Sequence, residues 1–192
     1  MPFLPHLFLA ILEGTVAAAV LALTALGLSL TFGIMRVVNV AHGEFYMLGA
    51  MLAWYLAKLV PGAPLAGFLL ALVGAPLAVG ALAFATERLV LRRIGYDPEA
   101  TIVATIGLLF VIQQLALTVF GAEAKPVAAP FTYRIVFPWF GYSGYKLFVV
   151  AASAAVLLVA WWIMARTRIG LIMRVTQFDR EMAQAFGKIG RA

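Results

Sequence analysis

The segment from Gly27 to Leu48 constrains the fold most, because it inserts polar residues between two long apolar runs. It reads GLSLTFGIMRVVNVAHGEFYML, and its polar cluster comprises Arg36, Asn39, His42 and Glu44. Such groups are costly to desolvate, and a membrane protein tolerates them where they face a bundle interior, a cavity or water. Asn39 and Gly43 also weaken regular helix, and a broken backbone at membrane depth survives only where protein or a watery cavity surrounds it. The segment therefore indicates a transport pathway more than an anchor.

The composition excludes a soluble domain and several kinds of chemistry. Of the 192 residues, 65% are hydrophobic and 11% are charged, and the mean hydropathy is +1.03, whereas soluble domains carry about 25% charged residues. The chain has no cysteine, and its two histidines lie far apart, so we expect no metal site. It has no HExxH, no GxSxG and no acidic pair in an apolar run, so we expect no catalytic residue. The net charge of +6 follows the sides of the membrane, which argues against a nucleic-acid partner.

The apolar runs predict an all-α fold, a polytopic transmembrane helix bundle of about five spans. A span needs about 20 apolar residues, and the predicted spans are 7–35, 45–60, 65–86, 100–121 and 147–165. The second run reaches membrane length only by including Lys58, so it either crosses the membrane or is re-entrant. Small residues recur from Gly67 to Gly74 and at Ala71 and Ala75, which predicts close approach of helices.

Polar residues inside the 100–121 span invite two further predictions. Thr101 and Thr105 are spaced i, i+4, and we expect each hydroxyl to bond back to its own helix. Gln113 and Gln114 point about 100° apart on a helix. We therefore expect one to face the bundle and the other a neighbouring subunit.

The distribution of basic residues orients the predicted helices. With five spans, ten Lys or Arg residues fall on one side and four on the other. The positive-inside rule then places the N-terminus outside and the C-terminus in the cytoplasm. This divides the chain into a transmembrane permease region, 1–165, with an external loop at 121–146, and a cytoplasmic segment, 166–192. In the loop, alternation from Phe131 to Phe137 predicts a short strand, within either an ordered cap or a docking surface for an external partner.

The cytoplasmic segment predicts a short amphipathic helix. Phe178, Met182 and Phe186 recur every four residues and form one apolar stripe, and Gly187 is placed to end the helix. Asp179 makes a helix that seeks lipid headgroups less favourable. The stripe suits insertion into a hydrophobic groove on a partner protein.

Three segments together resemble a known family: GLSLTFGIMRVVNVAHGEFYMLGA, ERLVLRRIGYDPEATIVATIGLLFVIQQLALTVFG and TRIGLIMRVTQFDREMAQAFG. They are similar to the LivH-type permease subunits of branched-chain amino-acid ABC importers, and the resemblance covers about Glu13 to Gly187. It implies a multi-pass protein of the bacterial inner cell membrane, built into a complex with a second homologous permease subunit. It also implies two cytoplasmic ATPase subunits and an external, periplasmic substrate-binding protein. No cofactor is expected on this chain, and ATP is expected on the ATPase subunits, because the chain lacks the G-x-x-x-x-G-K-[ST] phosphate loop.

The resemblance also suggests functional residues. The candidates for the pathway or a gate are Glu13, Asn39, His42, Gly43 and Glu44. Asn39, His42 and Glu44 either contact substrate, gate the inner mouth or stabilise the break between the first two spans. Glu13 is either a pathway carboxylate or an interface residue. The candidates for coupling to the ATPase are Gly170, Arg174, Phe178, Asp179, Met182, Ala183, Phe186 and Gly187, with Gly170 supplying the turn that leads out of the last span.

One departure from the family pattern leaves other functions open. Family members continue with further spans after the coupling segment, whereas this sequence stops at Ala192, so a C-terminal truncation is expected. The alternatives are a truncated, non-transporting remnant of such a permease and a passive channel or membrane scaffold. A channel has no need of the apolar stripe. The substrate could be a branched-chain amino acid, another amino acid, an amide or urea.

Overall fold

The computed structural model describes residues 3–35, 38–127, 129–136, 140–168 and 170–173. Within them the elements are α1 (Phe3–Met35), α2 (His42–Lys58), α3 (Pro64–Thr86), α4 (Pro98–Phe120), β1 (Arg134–Val136), β2 (Gly141–Ser143) and α5 (Gly144–Arg166), with a π-helical turn at Glu87–Leu91 after α3. The chain forms two compact units, one from the described parts of 1–36 and 146–192 and one from those of 37–145. The prediction of an all-α polytopic fold is confirmed.

Among the described residues, four helical segments are long and apolar enough to cross a membrane: Phe3–Gly33, Pro64–Leu91, Pro98–Phe120 and Gly144–Arg166. The helix α2 has 17 residues, which gives about 26 Å against a hydrocarbon core of about 30 Å. It therefore lies at the lower limit for a span. The span predicted at 45–60 stays a prediction.

In the unit formed by 37–145, α2 and α3 pack closely because α3 presents small residues to α2. A Cβ built on Gly67 would lie 2.8 Å from the carbonyl oxygen of Ala57, and one on Gly74 would lie 2.8 Å from Leu56 Cδ1. Ala71 and Ala75 are buried on the same stretch of α3. The predicted close approach through these small residues is confirmed.

The link from α3 to α4 is a tight turn. Asp97 caps α4 by accepting a hydrogen bond from the backbone N–H of Ala100 at 2.9 Å, and Pro98 occupies the first turn of the helix. Tyr96 adopts a left-handed φ of 56°, and its hydroxyl bonds to Glu87 in the π-helical turn. The start of α4 is thereby fixed.

The core of this unit lies where α2 meets α3 and α4. Ala41, Phe45 and Ile112 are its buried members, and they pack against Met47, Val79, Ala83, Leu108 and Leu109. The buried residues of α4, Thr101, Thr105, Ile112 and Ala116, recur at intervals of four and seven and form one stripe. Gln113 and Gln114 lie off that stripe and both are exposed. Neither side chain therefore enters the core of this unit, and the prediction that one of them faces the bundle stays a prediction.

The loop between α4 and α5 forms a two-stranded antiparallel hairpin, with Ile135 opposite Tyr142. The predicted strand is present but shorter than its alternating pattern, covering Arg134–Val136, and Phe137 lies outside the described residues. Tyr145 makes edge-to-face contacts with Phe68, at a centroid distance of 6.3 Å, and with Phe131, at 5.8 Å. These rings attach the loop to α3.

In the other unit, α1 and α5 leave nearly all of their side chains accessible. No residue in the apolar window of α1 is buried, and Ser153 is the buried residue of α5. Large apolar side chains are exposed on both helices, for example Leu21 at 67% and Leu158 at 65%. Burying such surface in lipid or against other subunits removes the cost of exposing it to water.

Candidate functional site

The polar segment before α2 folds into a turn that Asn39 organises. Its side-chain Oδ1 accepts a hydrogen bond from the backbone N–H of Ala41 at 3.0 Å, and its carbonyl accepts one from the N–H of His42 at 3.2 Å. Asparagine closes such turns because its side chain mimics a backbone acceptor. The backbone carbonyl of Ala41 then receives the N–H groups of Glu44 and Phe45, at 3.0 and 3.2 Å, which begins the helix. Asn39 thus has a structural role.

The turn is held against α4 by a contact between residues far apart in sequence. The backbone N–H of Val40 donates to Thr105 Oγ1 at 3.2 Å, and that hydroxyl donates to the carbonyl of Thr101 at 2.8 Å. Thr105 is 1% exposed, and Ala41 beside Val40 is fully buried. A buried backbone N–H requires such an acceptor, so Thr105 fixes the position of the turn. Sequence spacing predicted only the bond to its own helix, which is confirmed.

Glu44 is the member of the cluster with unused bonding capacity. Its Oε2 is buried and has no hydrogen-bond partner among the described residues, although the side chain as a whole is half-buried. The carboxylate lies in the first turn of α2, where the positive end of the helix dipole stabilises a negative charge. A buried acceptor without a donor is costly, so this oxygen is suited to receive a donor from a ligand.

The other two pathway candidates in this segment, His42 and Gly43, differ in exposure. His42, the first residue of α2, is half-buried. Gly43 is exposed, and a Cβ built on it would meet nothing within 4 Å. Close packing therefore does not require glycine at position 43, and none of the described contacts gives Gly43 a role in a gate.

Thr101 is a second buried polar residue, and the hydrogen bond predicted for its hydroxyl is not formed. It is 1% exposed, and its Oγ1 has no hydrogen-bond partner within the described ranges. The prediction that it bonds back to its own helix is wrong. The carbonyl four residues earlier belongs to the capping residue Asp97, and it accepts the backbone N–H of Thr101 at 2.9 Å.

Glu13 lies in the other unit and pairs with Lys146 at the start of α5. Lys146 Nζ lies 2.5 Å from Glu13 Oε1, and the two side chains are 42% and 45% exposed. The apolar stretch from Gly14 to Met35 is about 33 Å long, enough to cross the hydrocarbon core without Glu13. The ion pair thus fits the boundary of the membrane, which favours the interface role of Glu13 over that of a pathway carboxylate.

Gly170 lies in helical residues that follow a bend at Thr167, so the bend after α5 comes three residues before the position predicted for it. The backbone N–H of Gly170 donates to Thr167 Oγ1 at 3.2 Å, and a Cβ at position 170 would clash with the carbonyl oxygens of Ile163 and Met164. Glycine is therefore required by the local geometry. The remaining coupling candidates, Arg174, Phe178, Asp179, Met182, Ala183, Phe186 and Gly187, lie outside the described residues.

Metal ligands do not assemble in this structure. Across the described ranges, no three residues of the kinds His, Cys, Asp and Glu come together in a group that could hold a metal ion. The chemistry available at the turn is hydrogen bonding and charge pairing through Glu44. Those are the means of recognising a small polar solute.

The family model for the permease component of branched-chain amino-acid transport systems matches residues 10–189. The chain therefore belongs to this family of multi-pass membrane permeases. It is 22% identical to the high-affinity branched-chain amino-acid transport permease BraD of Pseudomonas aeruginosa, in an alignment that covers 97% of this chain and 64% of that protein. It is 29% identical to a probable branched-chain amino-acid transport permease LivH of Methanocaldococcus jannaschii, covering 92% of this chain and 57% of that one.

The chain spans less than two thirds of the length of either relative. No solved structure matches it.

Proposed function

We propose that this chain forms part of the translocation pathway of an ATP-driven importer for branched-chain or related amino acids. The observation that carries the proposal is the family match over residues 10–189. The apolar helices, with their exposed lipid-compatible surfaces, and the polar turn held between them support the same function. The chain supplies no chemistry of its own and moves the substrate by changing access.

Within the turn, Glu44 contacts the substrate and Asn39 does not. Asn39 Oδ1 is engaged in closing the turn, whereas Glu44 Oε2 is buried without a donor in the part of the chain described here. An amino acid carries an ammonium group, which is the complementary donor for a carboxylate. The hydrogen bond between the Val40 N–H and Thr105 holds Glu44 in place while solute passes. Less conformational entropy is therefore lost when the substrate binds.

The complex contains this chain, a second homologous permease subunit, two cytoplasmic ATPases and an external binding protein. It lies in the bacterial inner membrane with the N-terminus of this chain outside and the C-terminus in the cytoplasm. The excess of basic residues on one side of the predicted topology, ten against four, supports that orientation. Relatives named as branched-chain amino-acid permeases support the class of substrate.

Coupling to the ATPase runs through the segment after α5. The chain bends at Thr167, at the end of α5, and the predicted stripe of Phe178, Met182 and Phe186 follows the bend. We expect Phe186→Asp to abolish co-purification of the ATPase subunit, because a carboxylate cannot enter an apolar groove without a large desolvation cost. Gln184→Asp, off the stripe, is the matched control and should retain the ATPase. Equal recovery with both variants, each inserted normally, would contradict the coupling role.

Reconstituted uptake tests the function itself. Proteoliposomes would contain the second permease and the ATPases, with the binding protein outside, and would be prepared with or without this chain. Labelled leucine, isoleucine and valine should accumulate only with this chain and ATP. Uptake without ATP in vesicles holding this chain alone would favour a channel, and complete complexes without uptake would refute the proposal.

A further inference from the structure

Trp54, Lys58 and Lys125 form a cationic-aromatic cluster at the end of α2 that the proposed transport mechanism does not use. Lys58 Nζ lies 5.2 Å from the centroid of the Trp54 ring, and Lys125 Nζ lies 5.4 Å from it. Two ammonium groups therefore share one indole, within about 11 Å of each other, a separation at which like charges still repel at moderate salt.

No acidic side chain in the part of the chain described here forms an ion pair with this cluster. Among the described residues, neither Lys58 nor Lys125 forms a salt bridge, whereas Lys146 on the same predicted side pairs with Glu13. Glu123, two residues before Lys125, is exposed. Trp and Lys together are typical of the membrane–water interface. The cluster thus offers two positive charges, at headgroup level, to an anion from outside the chain.

An apolar groove begins beside this cluster and descends along α2 and α3. A cleft of about 410 Å³ is lined by Trp54 and Lys58. It shares Ala57, Pro64 and Val127 with a second cavity of about 580 Å³. The walls of that second cavity are mainly small and apolar, including Gly49, Ala53, Ala71 and Ala75.

The groove has the length of a lipid acyl chain. From Ala57 to Phe45 it follows α2 for about 18 Å, close to the depth of one leaflet, which is about 15 Å. The two ammonium groups beside its outer end favour an occupant that carries a negative charge at that end, as an anionic lipid does and an apolar helix of another subunit does not.

We propose that Trp54, Lys58 and Lys125 bind the phosphate of an anionic phospholipid, one acyl chain of which lies in the groove between α2 and α3. The headgroup contact provides the selectivity, since bulk lipid tails are as apolar as the groove and give it no preference among lipids. The charge of the cluster favours an anionic headgroup over a zwitterionic one. The groove holds the chain of that lipid against α2, the shortest of the five helices.

Quenching of Trp54 by brominated lipids tests the proposal. The full chain would carry Phe in place of Trp139, Trp161 and Trp162, so that Trp54 alone reports. It would be reconstituted into phosphatidylcholine vesicles containing equal fractions of acyl-brominated phosphatidylglycerol or phosphatidylcholine. We expect phosphatidylglycerol to be preferred by about fivefold or more, because both lysines attract its negative charge.

Variants test whether the preference for the anionic lipid depends on this cluster or on the general positive charge of that face of the protein. Lys58→Gln with Lys125→Gln should reduce the preference to about one, while Lys58→Arg with Lys125→Arg and the control Arg134→Gln should retain it. Ala53→Phe, which fills the groove, should lower quenching by both brominated lipids. Equal quenching by both lipids in the protein that keeps Lys58 and Lys125 would overturn the proposal. A preference for phosphatidylglycerol that persists in the double Gln variant would also overturn it. So would quenching that falls as protein density rises, since a second copy of the chain would then cover the groove.

Discussion

The α3 helix and the α1 and α5 helices are all long and apolar enough to cross a membrane, but they are packed differently. The α3 helix places Gly67 and Gly74 so close to α2 that an added Cβ would lie 2.8 Å from α2 atoms. By contrast, the apolar window of α1 buries nothing, and Gly14 in α1 has nothing within 4 Å of an added Cβ. Hydrophobicity thus places a helix in the membrane, whereas small residues decide which helices pack within the chain. The surfaces of α1 and α5 are left for lipid or partner subunits.

The largest expected effect comes from adding one methyl group at the α2–α3 contact. Gly67→Ala forces the new Cβ against the backbone carbonyl of Ala57, and overpacking of this kind costs about 1–3 kcal/mol. Unfolding by denaturing detergent in mixed micelles measures it.

Two glycines in open surroundings serve as controls. Gly80→Ala in the same helix and Gly14→Ala in α1 add a methyl group where nothing lies within 4 Å. Each should leave the free energy of unfolding unchanged or raise it by up to about 1 kcal/mol, because alanine is the better helix former. Equal destabilisation at positions 67 and 14 would remove the distinction between the two pairs of helices.

A smaller effect is expected where the polar turn meets α4. Thr105→Val removes the acceptor of the Val40 N–H and should cost about 1 kcal/mol, because the half-buried donor is left unpaired. Thr101→Val, which has the same change of shape, should be neutral or stabilising, because the Thr101 hydroxyl makes no hydrogen bond in the region described. The same unfolding measurement compares them, and a Thr101→Val cost as large as that of Thr105→Val would show that the two hydroxyls are equivalent.

The smallest effect is expected in the unit that contains α1 and α5. The pair of Glu13 and Lys146 is more than two-fifths exposed on both sides, and exposed ion pairs contribute about 0–1 kcal/mol. A double-mutant cycle of Glu13→Gln and Lys146→Gln measures the coupling energy. A value above 2 kcal/mol would place the pair in a low-dielectric environment and revive a pathway role for Glu13.

Sequence reasoning found the features that depend on neighbouring residues. Apolar runs predicted the helices, and the repeat of small residues predicted the α2–α3 contact. It missed features made by residues far apart, such as the bond between Val40 and Thr105, which are 65 positions apart, and the shared contact of Lys58 and Lys125 with Trp54. Spacing along the chain carries no information on which helix lies beside another, so these contacts required the folded structure.

The roles of the motif residues illustrate the same limit. Asn39, His42, Gly43 and Glu44 lie together in sequence and were grouped as candidates. Folding separates them, because Asn39 closes the turn, Gly43 is exposed and one Glu44 oxygen is buried without a donor among the described residues. The local sequence identified these residues as a group. The hydrogen bonds of the folded structure are needed to assign different roles to its members.

Uptake by a Glu44→Gln variant tests most directly whether the turn belongs to the pathway. Glu99→Gln, an exposed carboxylate in the first turn of α4, is the matched control in the same reconstituted importer. Losing a charged hydrogen bond to the substrate ammonium should lower the initial rate of leucine uptake about tenfold, with insertion and assembly unchanged, while Glu99→Gln keeps the full rate. Equal rates for the two variants would contradict the assignment of Glu44 to the translocation pathway.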